Sequence, residues 1–470
     1  MAIELRDKRV LIVGLGQSGM AAARFVKSRG ARVTVSDSKT LEELKDEIPR
    51  LLDEGFAVET GRHSERTFEH QDLIVVSPGV PVDALPLRGA REKVIGEIEL
   101  AAQFFPGRMV AITGSNGKTT TTALTGEVVR NGGFPTLVGG NIGTPAISLV
   151  GEATEDTVAV LEVSSFQLET IRAFRPHIAA VLNLTPDHLD RHGTFDAYRE
   201  AKARIFENQQ ASDFAVLNAD DPRCVELATR TQAQVFWFSR KRDLNQGAYV
   251  SEDRIFFRDA TGRREIMPVK EISLPGAHNL ENVLAAVCMG VVSDVEPGRI
   301  RKAVREFRAV EHRLEYVASI GGVEYYNDSK ATNVDATIKA LESFPANIRL
   351  ILGGKDKGSD YRQLNDLLRQ RVKCVYTIGA AAEKIESQIQ GATEMIHAET
   401  LENAIRRAAE AAESGDIVLL APACASFDQF RNYEHRGKVF KEVVRSLAAE
   451  GQAQPDSGAS GRTKSINRVQ

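Results

Sequence analysis

Short β-branched runs recur along this chain, and each is followed by a glycine-punctuated turn and an amphipathic stretch of roughly 10–15 residues. That rhythm belongs to strand–helix–strand units, so it confines the chain to the α/β class, with mostly parallel sheets covered by helices. The expected strands fall into three sets. The first holds Arg9 to Val13, Arg32 to Ser36 and Asp72 to Val76. The second holds Met109 to Thr113, Thr157 to Val163, Ile178 to Leu184 and Phe214 to Leu217. The third holds Val323 to Tyr326, Arg349 to Leu352, Cys374 to Ile378 and Asp416 to Leu420. A length of 470 residues accommodates three domains, which we place at 1–97, 98–311 and 312–450. Residues 451–470, rich in Gly, Ser and Gln and without apolar periodicity, read as a disordered tail.

Composition narrows the function classes. Lys plus Arg number 60 against 64 for Asp plus Glu, a net charge of -4, so no basic surplus points to nucleic acid. The longest apolar stretch, around Val283 to Val292, is far short of the roughly 20 residues that cross a bilayer. The start, Met1-Ala-Ile-Glu-Leu-Arg-Asp-Lys, has no apolar secretory core, so a cytoplasmic protein is expected. Cys224, Cys288, Cys374 and Cys424 lie far apart, with no Cys-x-x-Cys pair, and are expected to be buried small hydrophobes.

In open α/β sheets, ligands bind beyond the carboxyl ends of the strands, where loop amides and helix N-termini converge. Met109-Val-Ala-Ile-Thr-Gly-Ser-Asn-Gly-Lys-Thr-Thr reads as a strand, a glycine-rich turn and a helix start. Such a turn aims the amides of Gly114, Ser115, Asn116, Gly117 and Thr120 at an anion, while Lys118 supplies a mobile charge and Thr119 a magnesium ligand. ATP at Lys118 is the strongest inference from residues alone. The generic phosphate loop has glycine five positions before its second glycine; Ile112 stands there, so the loop is a shortened one. Glu162, at the tip of a neighbouring strand, is placed to serve magnesium, or else is a helix cap or a surface carboxylate. His188 and His192, four apart, could suggest zinc, but no third ligand is evident. By itself Lys202, in Tyr198-Arg-Glu-Ala-Lys, reads as an exposed helical lysine.

The first domain carries Gly14-Leu-Gly-Gln-Ser-Gly after a strand, with Asp37 ending the next. Read alone, this is a dinucleotide fingerprint that points to NAD and an oxidoreductase, or a turn kept for close helix packing. A P-loop kinase and a catalytically silent nucleotide-binding protein are further alternatives.

Taken together, Thr113-Gly-Ser-Asn-Gly-Lys-Thr, Gly139-Gly-Asn-Ile-Gly, Leu161-Glu-Val-Ser-Ser-Phe-Gln-Leu-Glu, Asp187-His-Leu-Asp-Arg-His and Tyr198-Arg-Glu-Ala-Lys resemble the Mur ligases. These are the ATP-dependent amino-acid-adding enzymes of cytoplasmic peptidoglycan precursor synthesis. Asp328-Ser-Lys-Ala-Thr-Asn and Ala421-Pro-Ala-Cys-Ala-Ser-Phe-Asp-Gln-Phe are similar to the D-glutamate-adding branch, rather than the diamino-acid-adding or folylpolyglutamate branches.

The resemblance, which runs from about residue 8 to 448, implies a Rossmann-like UDP-binding domain, a central P-loop ATPase-like domain and a C-terminal Rossmann-like domain that takes the amino acid. It implies that Lys118, Glu162, His188, Lys202, Asn141 and Lys330 serve catalysis, with Thr119, Glu162, His188 and Lys202 at two magnesium ions. Lys202 would react with carbon dioxide to form a carbamate, an anionic oxygen ligand where an ammonium would be repelled. Asn279 and Asn282 would lie near the adenine, and Arg313 and Asp328 would contact the nucleotide. Gly14, Gly16, Gln17, Ser18, Asp37, Ser38, Ser77, Gly79, Asn141 and Ser164 would bind the UDP-substrate, UDP-N-acetylmuramoyl-L-alanine. Thr332, Lys357, Ser426 and Tyr433 would bind D-glutamate. The sequence departs at Lys355, where some members have an acid, and at Tyr433, where Phe also occurs. A monomer is expected.

Overall fold

The computed structural model describes residues 3–45, 48–87, 90–274, 276–308 and 311–452. Residues 453–470, most of the expected tail, lie outside the described residues. The chain divides into two compact units, Met1–Val310 and Glu311–Gln470.

Two sheets make the first unit. The N-terminal sheet comprises β1 (Arg9–Val13), β2 (Arg32–Asp37), β3 (Ala57–Thr60), β4 (Leu73–Val76) and β5 (Val94–Gly96), in the order β3-β2-β1-β4-β5, all parallel. The central sheet comprises β6 (Arg108–Thr113), β7 (Thr136–Gly140), β8 (Val158–Glu162), β9 (Ile178–Val181), β10 (Phe214–Asn218), β11 (Gln234–Ser239), β12 (Gly247–Ser251), β13 (Arg254–Asp259) and β14 (Gly262–Pro268). Its order is β14-β13-β12-β11-β10-β9-β6-β8-β7, and β12 to β14 form an antiparallel end. β6 and β8 are apolar almost throughout because both faces of a parallel sheet are buried. The apolar run around Val283 to Val292 forms the buried helix Ala277–Val292 against this sheet.

The expected boundary at 97/98 falls inside one unit. A single core unites Val10, Ile12 and Ile98 with Ala111, Ile147 and Phe174. Buried carboxylates add polar ties: Glu97 accepts the Ile147 amide at 2.7 Å, and Glu99 accepts those of Arg172, Ala173 and Phe174. Burial raises the Glu97 carboxyl to about 7 against the hydrogen bond from Ile147.

The second unit holds β15 (Glu315–Ile320), β16 (Val323–Asn327), β17 (Ile348–Gly353), β18 (Val372–Ile378), β19 (Glu394–Glu399) and β20 (Ile417–Leu420), in the order β15-β16-β20-β17-β18-β19. All are parallel except β15, which pairs antiparallel with β16. The four cysteines are buried and free, as expected.

Candidate active site

The phosphate loop leaves β6 and feeds the 14-residue helix Lys118–Asn131. Gly117, just before the helix, has φ +82°, and a Cβ there would collide with Asn282 Oδ1, so glycine is required twice over. The loop is pinned from one side. The Asn116 amide donates to Asn183 Oδ1 at 2.8 Å, and Asn183 Nδ2 returns a bond to Asn116 O at 3.0 Å. Ser115 Oγ donates to Thr185 O at 2.9 Å and lies 3.0 Å from the Tyr198 hydroxyl. Lys118 Nζ lies over the loop, donating to Gly114 O and Ser115 O at 3.0 and 2.9 Å. A fixed loop with a cation above it is an anion cradle. Thr120, in the first turn, is buried.

Glu162 ends β8 beside this loop and is 2% exposed. Its Oε2 accepts Thr119 Oγ1 at 2.8 Å and its Oε1 accepts Asn141 Nδ2 at 3.1 Å. Asn141 is also held by its backbone, N to Glu162 O at 2.8 Å. Among the described residues, no group of three His, Cys, Asp or Glu side chains could hold an ion by itself. One hydroxyl and one carboxylate fit magnesium, which keeps several waters and borrows phosphate oxygens, better than they fit zinc.

Lys202 requires a correction to the reading from residues alone. It is not exposed: its helix, Phe195–Ala203, buries it to 2% exposure, with Nζ 3.3 Å from Thr113 Oγ1 and 4.7 Å from the Tyr198 ring centre. Burial, reinforced by the Lys118 charge, holds its amine well below the usual lysine range, against the pull of Asp187 and Glu162.

His188 is half-buried in the left-handed conformation (φ +53°), with its ring edge-on to Phe166. The His192 side chain is 4% exposed: its Nε2 lies 2.9 Å from Ser165 Oγ and its ring stacks on Phe166, so it packs against its neighbours. Ser164 caps the short helix Ser165–Leu168 in a capping box with Gln167. Asn279 and Asn282 are buried and bonded to each other at 3.1 Å, and Thr121 Oγ1 donates to Asn282 Oδ1 at 3.2 Å.

At the end of β1, Gly14 (φ +89°) turns the chain into the helix Gln17–Ser28. A Cβ on Gly19 would overlap the Gly14 carbonyl oxygen, which explains the third glycine of the motif. The Asp37 carboxylate accepts the amides of Leu15 at 2.7 Å and Lys39 at 2.9 Å, and Ser77 Oγ donates to Gly14 O at 2.8 Å. Gly16, Gln17, Ser38 and Gly79 are exposed and Ser18 half-exposed around them. Arg191 Nη2 donates to Val80 O at 3.3 Å, tying the turn after β4 to the segment that carries His188.

In the second unit, Asp328 follows β16, is buried, and has no hydrogen-bond partner for its Oδ1 among the described residues. Desolvation raises its carboxyl to about 6 despite the opposing charges of Arg313 and Lys330. Lys330 Nζ donates to the Tyr433 hydroxyl at 3.3 Å and lies 5.0 Å from its ring centre. Ser426 is buried, and Thr332 and Lys357 are half-buried. Lys355 is exposed, and its backbone pairs with Ala425, next to Ser426. Most of the predicted residues lie at strand ends: Gly14, Gly16, Asp37, Ser38, Ser77 and Gly79 on the first sheet, the phosphate loop with Asn141, Glu162 and Ser164 on the second, and Asp328, Lys330, Thr332 and Ser426 on the third, while Lys202, Asn279 and Asn282 come from helices. Asn183, Thr185 and Tyr198, which pin the phosphate loop, were not singled out from the sequence. Asn183 falls near the end of the expected strand Ile178 to Leu184 and Thr185 just after it, and that position was the available signal.

Comparison with known proteins identifies the family. Residues 8–98 match the Mur ligase MurD-like N-terminal domain, residues 112–290 the Mur ligase middle domain, and residues 312–424 the Mur ligase glutamate ligase domain. The chain is 65% identical over 451 residues to the UDP-N-acetylmuramoylalanine–D-glutamate ligase of Koribacter versatilis, covering 95% of this chain and 99% of that one. It is 57% identical to the enzyme of the same name from Acidobacterium capsulatum, covering 96% and 98%. In fold it is similar to MurF ligase from Thermotoga maritima in complex with ADP, with TM-score 0.60, 17% identity and 95% and 97% covered. MurC from the same organism gives TM-score 0.59 at 19% identity, with 94% and 100% covered.

Proposed function

The chain belongs to the Mur ligase family, and from that premise we infer that it joins D-glutamate to UDP-N-acetylmuramoyl-L-alanine with consumption of ATP. It is an ADP-forming acid–amino-acid ligase of peptidoglycan precursor synthesis. The observation that carries the reading is the Glu162 carboxylate, held by Thr119 and Asn141 at the mouth of a pinned phosphate loop.

A carboxylate is a poor acyl donor because oxide would have to leave. Transfer of the γ-phosphoryl of ATP to the alanyl carboxylate gives an acyl phosphate. The D-glutamate amine then attacks the acyl carbon, loses a proton, and phosphate departs as the amide forms. In this reading the amides of residues 114–120 and Lys118 hold the outer phosphates. Thr119, Glu162, His188 and Lys202 hold magnesium, two ions in all. When bound, magnesium offsets the repulsion between phosphate and carboxylate. Asn141 orients the reacting carboxylate. Asn279 and Asn282 face the adenine, Arg313 and Asp328 the nucleotide, and Lys330 the phosphate that is transferred.

The buried amine of Lys202 supports its role as the carbamate. Neutral amine attacks carbon dioxide; an N–C bond forms, one C–O π bond opens and the amine proton leaves, giving an anion with hard oxygens. The first glycine motif and Asp37 receive the uracil and pyrophosphate side of the substrate, with Gln17, Ser18, Ser38, Ser77, Gly79 and Ser164 around it. Thr332, Lys357, Ser426 and Tyr433 receive D-glutamate. The working divisions are residues 1–97, 98–311 and 312–450, in a cytoplasmic monomer; no helix among the described residues is long and apolar enough to cross a membrane.

The test is phosphate release with ATP, UDP-N-acetylmuramoyl-L-alanine and a panel of amino acids. D-glutamate alone should sustain turnover. Turnover with a diamino acid in its place would reassign the branch, and reduction of a nicotinamide with no phosphate released would refute the reaction class.

A further inference from the structure

Arg436 lies one turn into the helix Tyr433–Gln452 and is 1% exposed, among the largest fully buried side chains of the molecule. A buried guanidinium ordinarily faces a carboxylate. This one bonds four times to other oxygens: Nε to Ser329 Oγ at 3.0 Å, Nη2 to Ser329 O at 2.8 Å and Cys424 O at 3.1 Å, and Nη1 to Ala425 O at 3.4 Å. Burial lowers it to about 10, so it stays charged at neutral pH.

What these oxygens belong to gives the side chain its meaning. Ser329 lies between Asp328 and Lys330, in the turn after β16. Cys424 and Ala425 precede Ser426, in the turn after β20, the strand paired with β16. Ser329 Oγ in turn donates to Tyr433 O at 2.8 Å. A third turn, after β17, passes the same guanidinium: Gly354 has φ +134°, and a Cβ there would stand 3.2 Å from Nη1 and overlap the Ala425 carbonyl. Three adjacent strands, β16, β20 and β17, thus end in turns that pack around one cation.

We propose that Arg436 is a positioning residue for the amino-acid pocket, locking the turns that carry Lys330 and Ser426 against the helix start at Tyr433 in one register so that the acceptor amino acid meets a preformed site. This rests on the D-glutamate pocket assigned above. Arg436 touches no substrate. Its fork spans both turns, a geometry that a lysine's single ammonium cannot reproduce.

The experiment measures KM separately for D-glutamate, ATP and the UDP-substrate in wild type, Arg436→Met, Arg436→Lys and Ser329→Ala, with thermal melts of each. In Arg436→Met, KM for D-glutamate should rise on the order of 10–100-fold, the scale of an ångström-level misplacement, while the other two move by less than about twofold. Arg436→Lys should recover part of the loss. Ser329→Ala, which removes one hydroxyl, should shift the same constant by a smaller factor. If Arg436→Met does not fold, Ser329→Ala decides alone. A loss of kcat in step with the folded fraction and no selective change in KM would overturn the proposal, as would an unchanged KM in Ser329→Ala when that variant decides. Wild type that releases no phosphate with D-glutamate would instead refute the reaction on which the proposal stands.

Discussion

Replacing Lys202 by methionine should stabilise the protein while abolishing its activity. The wild-type amine is buried to 2% exposure, with a bond of 3.3 Å to Thr113 Oγ1 and the Tyr198 ring as its other neighbour. Burying a polar group with weak compensation costs about 1–3 kcal/mol, whereas a methionine of similar length would keep the packing. Against this, Thr113 loses its partner at about 0.5–1.5 kcal/mol, leaving a net gain of about 1 kcal/mol, or about 1 °C in Tm for a chain of this size. The sign has a pH signature. The folded-state pKa lies below the unfolded value of 10.5, so the penalty is full below the folded pKa and shrinks as pH rises toward 10.5. The difference between variant and wild type should therefore be largest at acidic pH, below the folded-state pKa, and shrink as pH rises toward 10.5. The assay is a pair of melting series in bicarbonate-free buffer across this range, alongside phosphate release. Equal stability at the acidic end of the series, or a difference independent of pH, would refute the burial argument. Full activity in the variant, or none regained by Lys202→Ala on adding a small carboxylate, would refute the carbamate.

Thr119→Val removes the hydroxyl that donates to Glu162 Oε2 at 2.8 Å; stability should fall by about 1–3 kcal/mol in denaturant melts and kcat by about 100-fold or more. Asp328→Asn should stabilise the second unit at pH 7–8 by as much as about 3 kcal/mol, because a carboxyl at about 6 in place of 3.8 carries a folding penalty that is full above pH 6. That gain should disappear in melts below about pH 4. Gly19→Ala sets a Cβ on the Gly14 carbonyl and should cost about 3 kcal/mol or more in stability, with a raised KM for the UDP-substrate in steady-state kinetics.

The buried parallel strands were legible because most are short, largely apolar runs with β-branched residues: β1, β2, β4, β6, β8, β9, β10, β16, β17, β18 and β20 all fall where the sequence places strands. The strands that escaped are mostly edges or near-edges with weaker patterns. β5 has three residues, β19 reads Glu-Met-Ile-His-Ala-Glu with charges suited to an exposed edge, and β7 ends in two glycines that look like loop. The antiparallel β12 to β14 mix arginines with aromatics and lack the strand–helix rhythm.

The phosphate loop was legible because an anion cradle needs local sequence: glycines, a lysine and a hydroxyl at fixed spacing. Lys202 was not, since burial of a helical lysine depends on what packs over it, here Thr113 and Tyr198. Only the family resemblance singled it out. Arg436 escaped for the same reason, because its four oxygens come from turns brought together by the sheet rather than by sequence spacing.

The most direct test of carboxyl activation follows oxygen. Substrate labelled with 18O in both alanyl carboxylate oxygens, incubated with ATP and D-glutamate, should pass one label to the released phosphate and retain one in the new amide carbonyl. Phosphate released without label would contradict the acyl-phosphate route and, with it, the account of this site.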